Sequence, residues 1–301
     1  MEIKKTKTAF GKKMLREHLF AACIVILPVA WWAFTFFYTT FDTILLAFKQ
    51  YDGVTQQTTW VGFDNFKSVF SDLVNNGGLL NISFRNSIMM WLINIFFSIP
   101  LALLVSFALY KKVIGQSAYK VLLFLPSIVS GMVWVIIFST FIYQGLGKDW
   151  LSNPDTALIT LIVYSLWIGF AGNMVLYTGA MSRIPPSLVE AGQLDGMNEI
   201  KEFIYIVIPL IFPTLSVILT TCVITVFTTQ LPSLAFYGQK TAQEKSELYT
   251  LGFYTFIKGL NGDPTETPLV SALSIIVCLI AAPVTLLTRR VLDKLSPTAE
   301  F

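Results

Sequence analysis

The chain has 301 residues, of which 54% are hydrophobic, 14% aromatic and only 13% charged, and its mean hydropathy is +0.67. Soluble domains carry about 25% charged residues, so a chain with half that proportion must bury its apolar side chains in something other than itself. An ordinary water-soluble domain is excluded, and the solvent that remains is lipid. The net charge of +3 is too small to specify a partner, and nucleic acid is not expected to be one. The single histidine, His18, excludes paired-histidine metal or catalytic sites. Cys23, Cys222 and Cys278 all lie in apolar runs and indicate neither a disulfide framework nor a zinc site.

Six stretches lack Asp, Glu, Lys and Arg altogether: 19–41, 86–110, 121–147, 156–182, 203–239 and 267–288. Each exceeds the roughly 20 residues that carry an α-helix across a hydrocarbon core about 30 Å thick, and none alternates as a membrane strand does. The expected fold class is an all-α integral membrane protein with six transmembrane helices. Ahead of the first run, Phe10, Met14 and Leu15 interleave with Lys12, Lys13 and Arg16. That is the pattern of a short helix lying on the inner membrane surface, or else of a solvated basic leader. A cleaved signal would have a shorter apolar stretch ending in small residues. Here 24–37 continues through Trp31, Trp32 and Phe34, so the first helix is read as retained. With the N-terminus inside, 14 of the 21 basic residues fall on the inner side and seven on the outer. This bias follows the positive-inside rule and places both termini in the cytoplasm.

The outer connections differ in length. The first, 42–85, is long enough to fold against the outer face and sets turn residues among aromatics in Trp60-Val61-Gly62-Phe63-Asp64-Asn65-Phe66. The second, near 148–155, is short. The third, 240–266, carries a helical pattern in Leu248, Leu251, Phe253, Phe256 and Ile257 and ends in the breakers Asn261-Gly262-Asp263-Pro264.

The inner loop between the fourth and fifth spans reads Ile184-Pro185-Pro186-Ser187-Leu188-Val189-Glu190-Ala191-Gly192-Gln193-Leu194-Asp195-Gly196-Met197. Ser187 and Glu190 have the spacing of a capping box behind Pro186, which predicts a short helix starting there. Asp195-Gly196 supplies a positive-φ turn to end it, so two short helices at an angle are expected. Glu190 is then either a helix cap or an exposed docking carboxylate. The flanking prolines, Pro185, Pro186, Pro209 and Pro213, fit either a rigid lever or simple kinks.

This loop closely resembles the Glu-Ala-Ala loop of membrane subunits in bacterial ATP-binding-cassette importers, in particular the carbohydrate permeases of the maltose type. Similar features extend to Trp60 through Phe66, to Asn86-Ser87 and to Phe124-Leu125-Pro126. The chain departs from the pattern at Gly192, where the triplet has alanine, and at Gly238-Gln239, a reduced form of the glycine-rich turn common after the fifth span. The resemblance implies a type I importer transmembrane domain in the bacterial cytoplasmic (inner) membrane. It divides the chain into a leader, first helix and outer loop (1–81), a permease core (82–290) with a coupling loop (183–203), and a cytoplasmic tail (291–301). It implies that Ser187, Glu190, Ala191, Gly192, Asp195 and Gly196 dock into an ATPase subunit, and that Trp167, Gly169, Asn173, Thr228 and Gln230 meet the solute. The implied partners are a second homologous permease subunit, two ATPase subunits that bind the ATP and Mg, and an extracytoplasmic solute-binding protein. The chain itself would bind no cofactor and would not be an enzyme.

The residues agree on energy supply. Gly145-Leu146-Gly147-Lys148 runs into Asp149 and lacks the spacing of a phosphate-binding loop. Ion-driven carriers keep ionisable groups within their spans, and none occurs here. The polar span residues Asn94, Ser127, Ser130, Tyr164, Ser165, Trp167, Asn173, Tyr177, Thr225, Thr228, Thr229 and Gln230 suit a wet path for a neutral, hydroxyl-rich solute, or alternatively hold helices together. A sugar is the expected cargo, an amino acid or a phosphonate the alternative within the class. A gradient-driven carrier and a membrane scaffold remain as rivals outside it.

Overall fold

The computed structural model describes residues 2–53, 55–111, 113 and 115–296. Five helical segments are long and apolar enough to cross a membrane: Ala22–Ala47, Leu79–Tyr110, Pro154–Met181, Glu199–Gln239 and Thr267–Leu295. A bent pair, Gln116–Pro126 with Gly131–Gly145, brings the number to six where it is counted as one broken span. Helix α1 (Glu2–Ala47) runs unbroken for 46 residues, roughly 70 Å at 1.5 Å per residue, more than twice the hydrocarbon thickness. The basic leader therefore continues the axis of the first span instead of turning as a separate short helix. No glycine-proline pair or cap interrupts residues 12–27 to make it turn. The apolar part of α1 is unburied within the chain and packs along the last helix, leaving most of its surface to lipid.

An antiparallel hairpin, β1 (Lys49–Asp52) with β2 (Gln57–Trp60), and helix α2 (Asp64–Val74) follow, so the first outer loop is folded as its aromatics predict. Phe48 stacks on Trp60 at 5.7 Å and meets Phe63 and Phe66. The Asn65 amide donates to the carbonyls of Ala47 and Lys49, satisfying acceptors left open where α1 ends.

The second span joins α3 (Leu79–Ile93) to α4 (Ile99–Tyr110) through one π-turn, Asn94–Ser98, in which the Ile99 N–H donates to the Asn94 carbonyl. The cause stands one residue on. Pro100 has no N–H, and its ring would press on the carbonyl of Phe96, so the chain widens just before it. The fifth span uses the same device. A short helix α9 (Glu199–Glu202) passes through the π-turn Phe203–Val207 into α10 (Ile208–Thr228), whose second residue is Pro209.

The charge-free run 121–147 does not form one straight span. Helices α5 (Gln116–Ile128) and α6 (Gly131–Thr140) meet at 99°. Val129 and Ser130 are extended between Pro126, which removes a helical hydrogen bond, and Gly131. The run 203–239 is also divided. Helix α10 ends at Thr228, the chain is extended at Thr229, and α11 (Ser233–Glu244) follows with a break at Gly238, where φ is +71°.

The fourth span, α7 (Pro154–Met181), is capped by Asn153, whose Oδ1 accepts from the Asp155 N–H. It packs on α4 and α10 through a core that includes Tyr177, Met181, Val207 and Ile211. The third outer loop supplies the expected helix, α12 (Leu251–Asn261), before the last span α13 (Thr267–Leu295). Burial, with the carboxylates of Asp72 and Glu266 nearby, pushes the Tyr254 phenol up to about 12. The hydroxyl and amide of Thr265 hold the Asp263 carboxyl below its usual range at the entry to α13.

Asn86 and Ser87 fasten this loop to the second span. Asn86 Nδ2 donates to the carbonyls of Glu247 and Tyr249 at 2.9 Å each, and Ser87 Oγ accepts from the Leu251 N–H at 2.9 Å. Thr250 Oγ1 reaches the Thr229 carbonyl, and Gly252 lies so close that a Cβ there would sit 2.5 Å from the Thr228 carbonyl oxygen. Asn86→Leu should leave two carbonyls without their donor, at about 1–3 kcal/mol for each that stays dry. A lowered thermal midpoint of the detergent-purified protein is expected, and an unchanged midpoint would show that the loop is held by other contacts.

Candidate functional site

The inner loop folds as two short helices, but its first helix starts differently from the predicted capping box. Helix α8 (Pro186–Leu194) has Pro185 at the cap position and Pro186 as its first residue, with no side-chain cap hydrogen bond. Proline's fixed φ and missing N–H open the helix unaided. This places Ser187 and Glu190 inside α8, out of capping register. Glu190 is thereby free of local duty and stands exposed.

The far end of α8 is closed as the Asp195-Gly196 pair predicts. The Gly196 N–H donates to the Gln193 carbonyl at 3.1 Å and the Met197 N–H to the Gly192 carbonyl at 3.0 Å, with Gly196 at φ +77°. These two bonds are a Schellman motif. Asn198 then caps α9 by accepting from the Lys201 N–H. Gly192 is buried: a Cβ there would lie 2.9 Å from Ile206 Cδ1 and 3.2 Å from Met197 Sδ. The glycine lets α8 sit directly on the π-turn of the fifth span. Ser187, Glu190, Ala191, Asp195 and Gly196 face solvent. So do Leu194, 89% exposed, and Ile200, 68% exposed, two apolar side chains of this face that sequence reasoning missed.

Two adjoining cavities, of about 90 Å³ and 180 Å³, lie between the second, fourth and fifth spans and share Asn94, Asn173 and Thr225. Gly169 and Asn173, two of the expected solute contacts, line this cleft. The side-chain amides of Asn94 and Asn173 have no protein hydrogen bond among the described residues, so they stand available. No charged residue lines either cavity. Trp167, Thr228 and Gln230 stand apart from the cleft. Trp167 packs in an aromatic group with Trp134 at 5.0 Å and Tyr164 at 6.3 Å. Thr228 closes α10 against Gly252, and Gln230 is exposed in the segment beyond. The second span contributes Asn94, named above among the polar span residues, at a π-turn with Trp91 and Ser98 that Pro100 sets.

A third cavity, of about 560 Å³, lies beside the inner loop, with Val189 and Glu190 of α8 on one side and Tyr110, Lys111 and Lys120 on the other. At its edge Lys111 Nζ meets Glu202 Oε2 at 2.8 Å, with side chains 21% and 3% exposed. Beside this pair the Phe107 and Phe203 rings approach to 4.7 Å.

Residues 77–299 match the family described as binding-protein-dependent transport system inner membrane component. The chain is 29% identical over 240 residues to the probable ABC transporter permease protein YesP of Bacillus subtilis, covering 73% of each chain. It is 29% identical over 220 residues to the sn-glycerol-3-phosphate transport system permease protein UgpA of Brucella abortus, covering 69% of this chain and 72% of that one. It shares its fold, with a TM-score of 0.76 and 20% identity over 96% of this chain and 100% of the other, with a bacterial ABC transporter involved in the import of the acidic polysaccharide alginate. The fold is that of a type I importer permease, a multi-pass inner-membrane subunit that is not itself an enzyme. Neither a gradient-driven carrier nor a scaffold is compatible with that placement. The chain belongs to the family of binding-protein-dependent transport system inner membrane components.

Proposed function

We propose that this chain lines the path for a sugar or oligosaccharide in an ATP-driven importer, and that its inner loop is the part gripped by the ATPase. One observation carries the reading: α8 is a short helical peg, closed at its far end and seated through Gly192 on the fifth span, yet it turns Glu190, Ala191 and Leu194 to solvent. A loop built only to connect two spans has no need of an exposed leucine beside an unpaired carboxylate. In this reading the termini are cytoplasmic, ATP and Mg are held by two partner ATPase subunits, and a second, homologous permease completes the path. An external binding protein delivers the solute to the outer face. The coupling loop is 183–203, within a permease core of 82–290. Solute and nucleotide drive transport only if both favour the same global state.

The uncharged cleft supports a hydroxyl-rich cargo, since Asn94, Asn173 and Thr225 offer donors and acceptors to sugar hydroxyls and no fixed charge to an ion. The relatives' cargoes, sn-glycerol 3-phosphate and alginate, are both anionic, so the choice of solute is itself a test. In the assembled importer, a panel of glucose, maltose, maltotriose, alginate oligosaccharide and glycerol 3-phosphate is expected to raise ATP hydrolysis most with a neutral sugar. A response confined to the anions would contradict the cleft's chemistry.

Two variants separate the parts. Glu190→Gln should reduce the stimulated ATP hydrolysis about tenfold, a usual size for coupling between sites, with an unchanged thermal midpoint. Wild-type stimulation would remove the ionic contact from the account. Asn173→Leu should cut uptake of the stimulating sugar by about 10- to 100-fold, the loss expected when a buried polar partner disappears. Uptake at normal affinity and rate would take Asn173 out of the path.

A further inference from the structure

The peg and the inner end of the second span are separated by the 560 Å³ cavity, with Glu190 on one wall and Tyr110 and Lys120 on the other. An open gap transmits no push, so movement of α8 must reach α4 by another route. The Lys111–Glu202 pair bridges the edge of that gap and joins residues 91 positions apart. Among the described residues it is the one ion pair linking two different spans.

Resting on the reading of α8 as the element the ATPase grips, we propose that Lys111 and Glu202 are positioning residues that carry the inner loop's movement into the second span, and so to Asn94 at the cleft. Glu202 lies in the first turn of the helix leading into the fifth span, and Lys111 caps the end of α4. Each charge thus sits at the helix terminus whose dipole favours it, which holds both ends in register. Glu202 is 3% exposed and its second oxygen, Oε1, has no hydrogen-bond partner, so Lys111 is its one ionic tie. Separating the pair would strand a buried carboxylate, and the two helix ends therefore move together. The Phe107–Phe203 contact, one helical turn before Lys111 and one residue beyond Glu202, gives the joint a second point of support. Stability alone is a poor reason for such a pair, because an apolar pair of equal volume often serves as well or better. From Lys111 the rigid α4 leads to Pro100 and the π-turn at Asn94, so a displacement at the inner face arrives at the solute cleft on its second-span side.

The test is the amount of the stimulating panel sugar transported per ATP hydrolysed, in proteoliposomes holding the complete importer. Glu202→Gln, Lys111→Glu and Glu202→Lys should each lower that ratio about tenfold. An Ala191→Cys crosslink to the ATPase should form in each as it does without them, and the double reversal Lys111→Glu with Glu202→Lys should recover most of the ratio. A ratio unchanged in the single variants, or a double reversal as uncoupled as the singles, overturns the proposal. Should the reversals fail to assemble, Glu202→Gln decides it by the same ratio. Failure of the Ala191→Cys crosslink in the otherwise unmodified chain would instead overturn the reading of α8 and leave the pair a purely local contact.

Discussion

Lipid offers no hydrogen bonds, and this chain is shaped by that constraint. Backbone groups within the bilayer must find partners inside the protein, and charges must stay at the ends of the spans or be paired. The π-turns ahead of Pro100 and Pro209 are one consequence: where a proline breaks the regular ladder, the helix widens by one residue and continues. The outer lock is another. Asn86 and Ser87 satisfy two carbonyls and one amide of the irregular stretch 247–251 where it lies against the spans, and Thr250 donates to the Thr229 carbonyl just beyond α10, so that backbone is not left bare.

The same constraint makes part of the fold readable from residues alone. Charge-free runs longer than the bilayer is thick mark the spans, and the aromatics of 60–66 mark a packed outer loop. Breaks within apolar runs are harder to see, because hydropathy is unchanged by a bend. Pro126 and Gly131 fold 121–147 sharply, while Pro209 and Pro213 leave the fifth span continuous. What differs is whether neighbouring backbone can take up the missing bond, and that depends on tertiary packing.

The inner loop divides along similar lines. Gly196 is legible because only a positive-φ residue closes such a helix. The capping box is not formed, since a proline at the first helical position overrides a weaker side-chain signal at the next residue. Gly192 reads in sequence as a weakened alanine triplet, whereas in the fold it is a point of close approach between peg and span. In the cleft, Gly169 and Asn173 line one cavity, and Asn94 is brought to them by a π-turn that no periodicity reveals. The Lys111–Glu202 contact joins positions 91 apart, beyond the reach of any local pattern.

In the proposed reading, peg, joint and cleft belong to a subunit that converts a push at the inner membrane face into a change at a neutral, hydrogen-bonding solute path. The central claim is that the push comes from outside this chain. Reconstitution into proteoliposomes tests it most directly, by comparing this chain alone with the chain assembled with ATPase, permease and binding-protein partners. Uptake that requires the partners and ATP, and that persists when ionophores abolish every ion gradient, is the predicted result. Sugar accumulation by the purified chain alone, lost on adding an ionophore, would contradict the account.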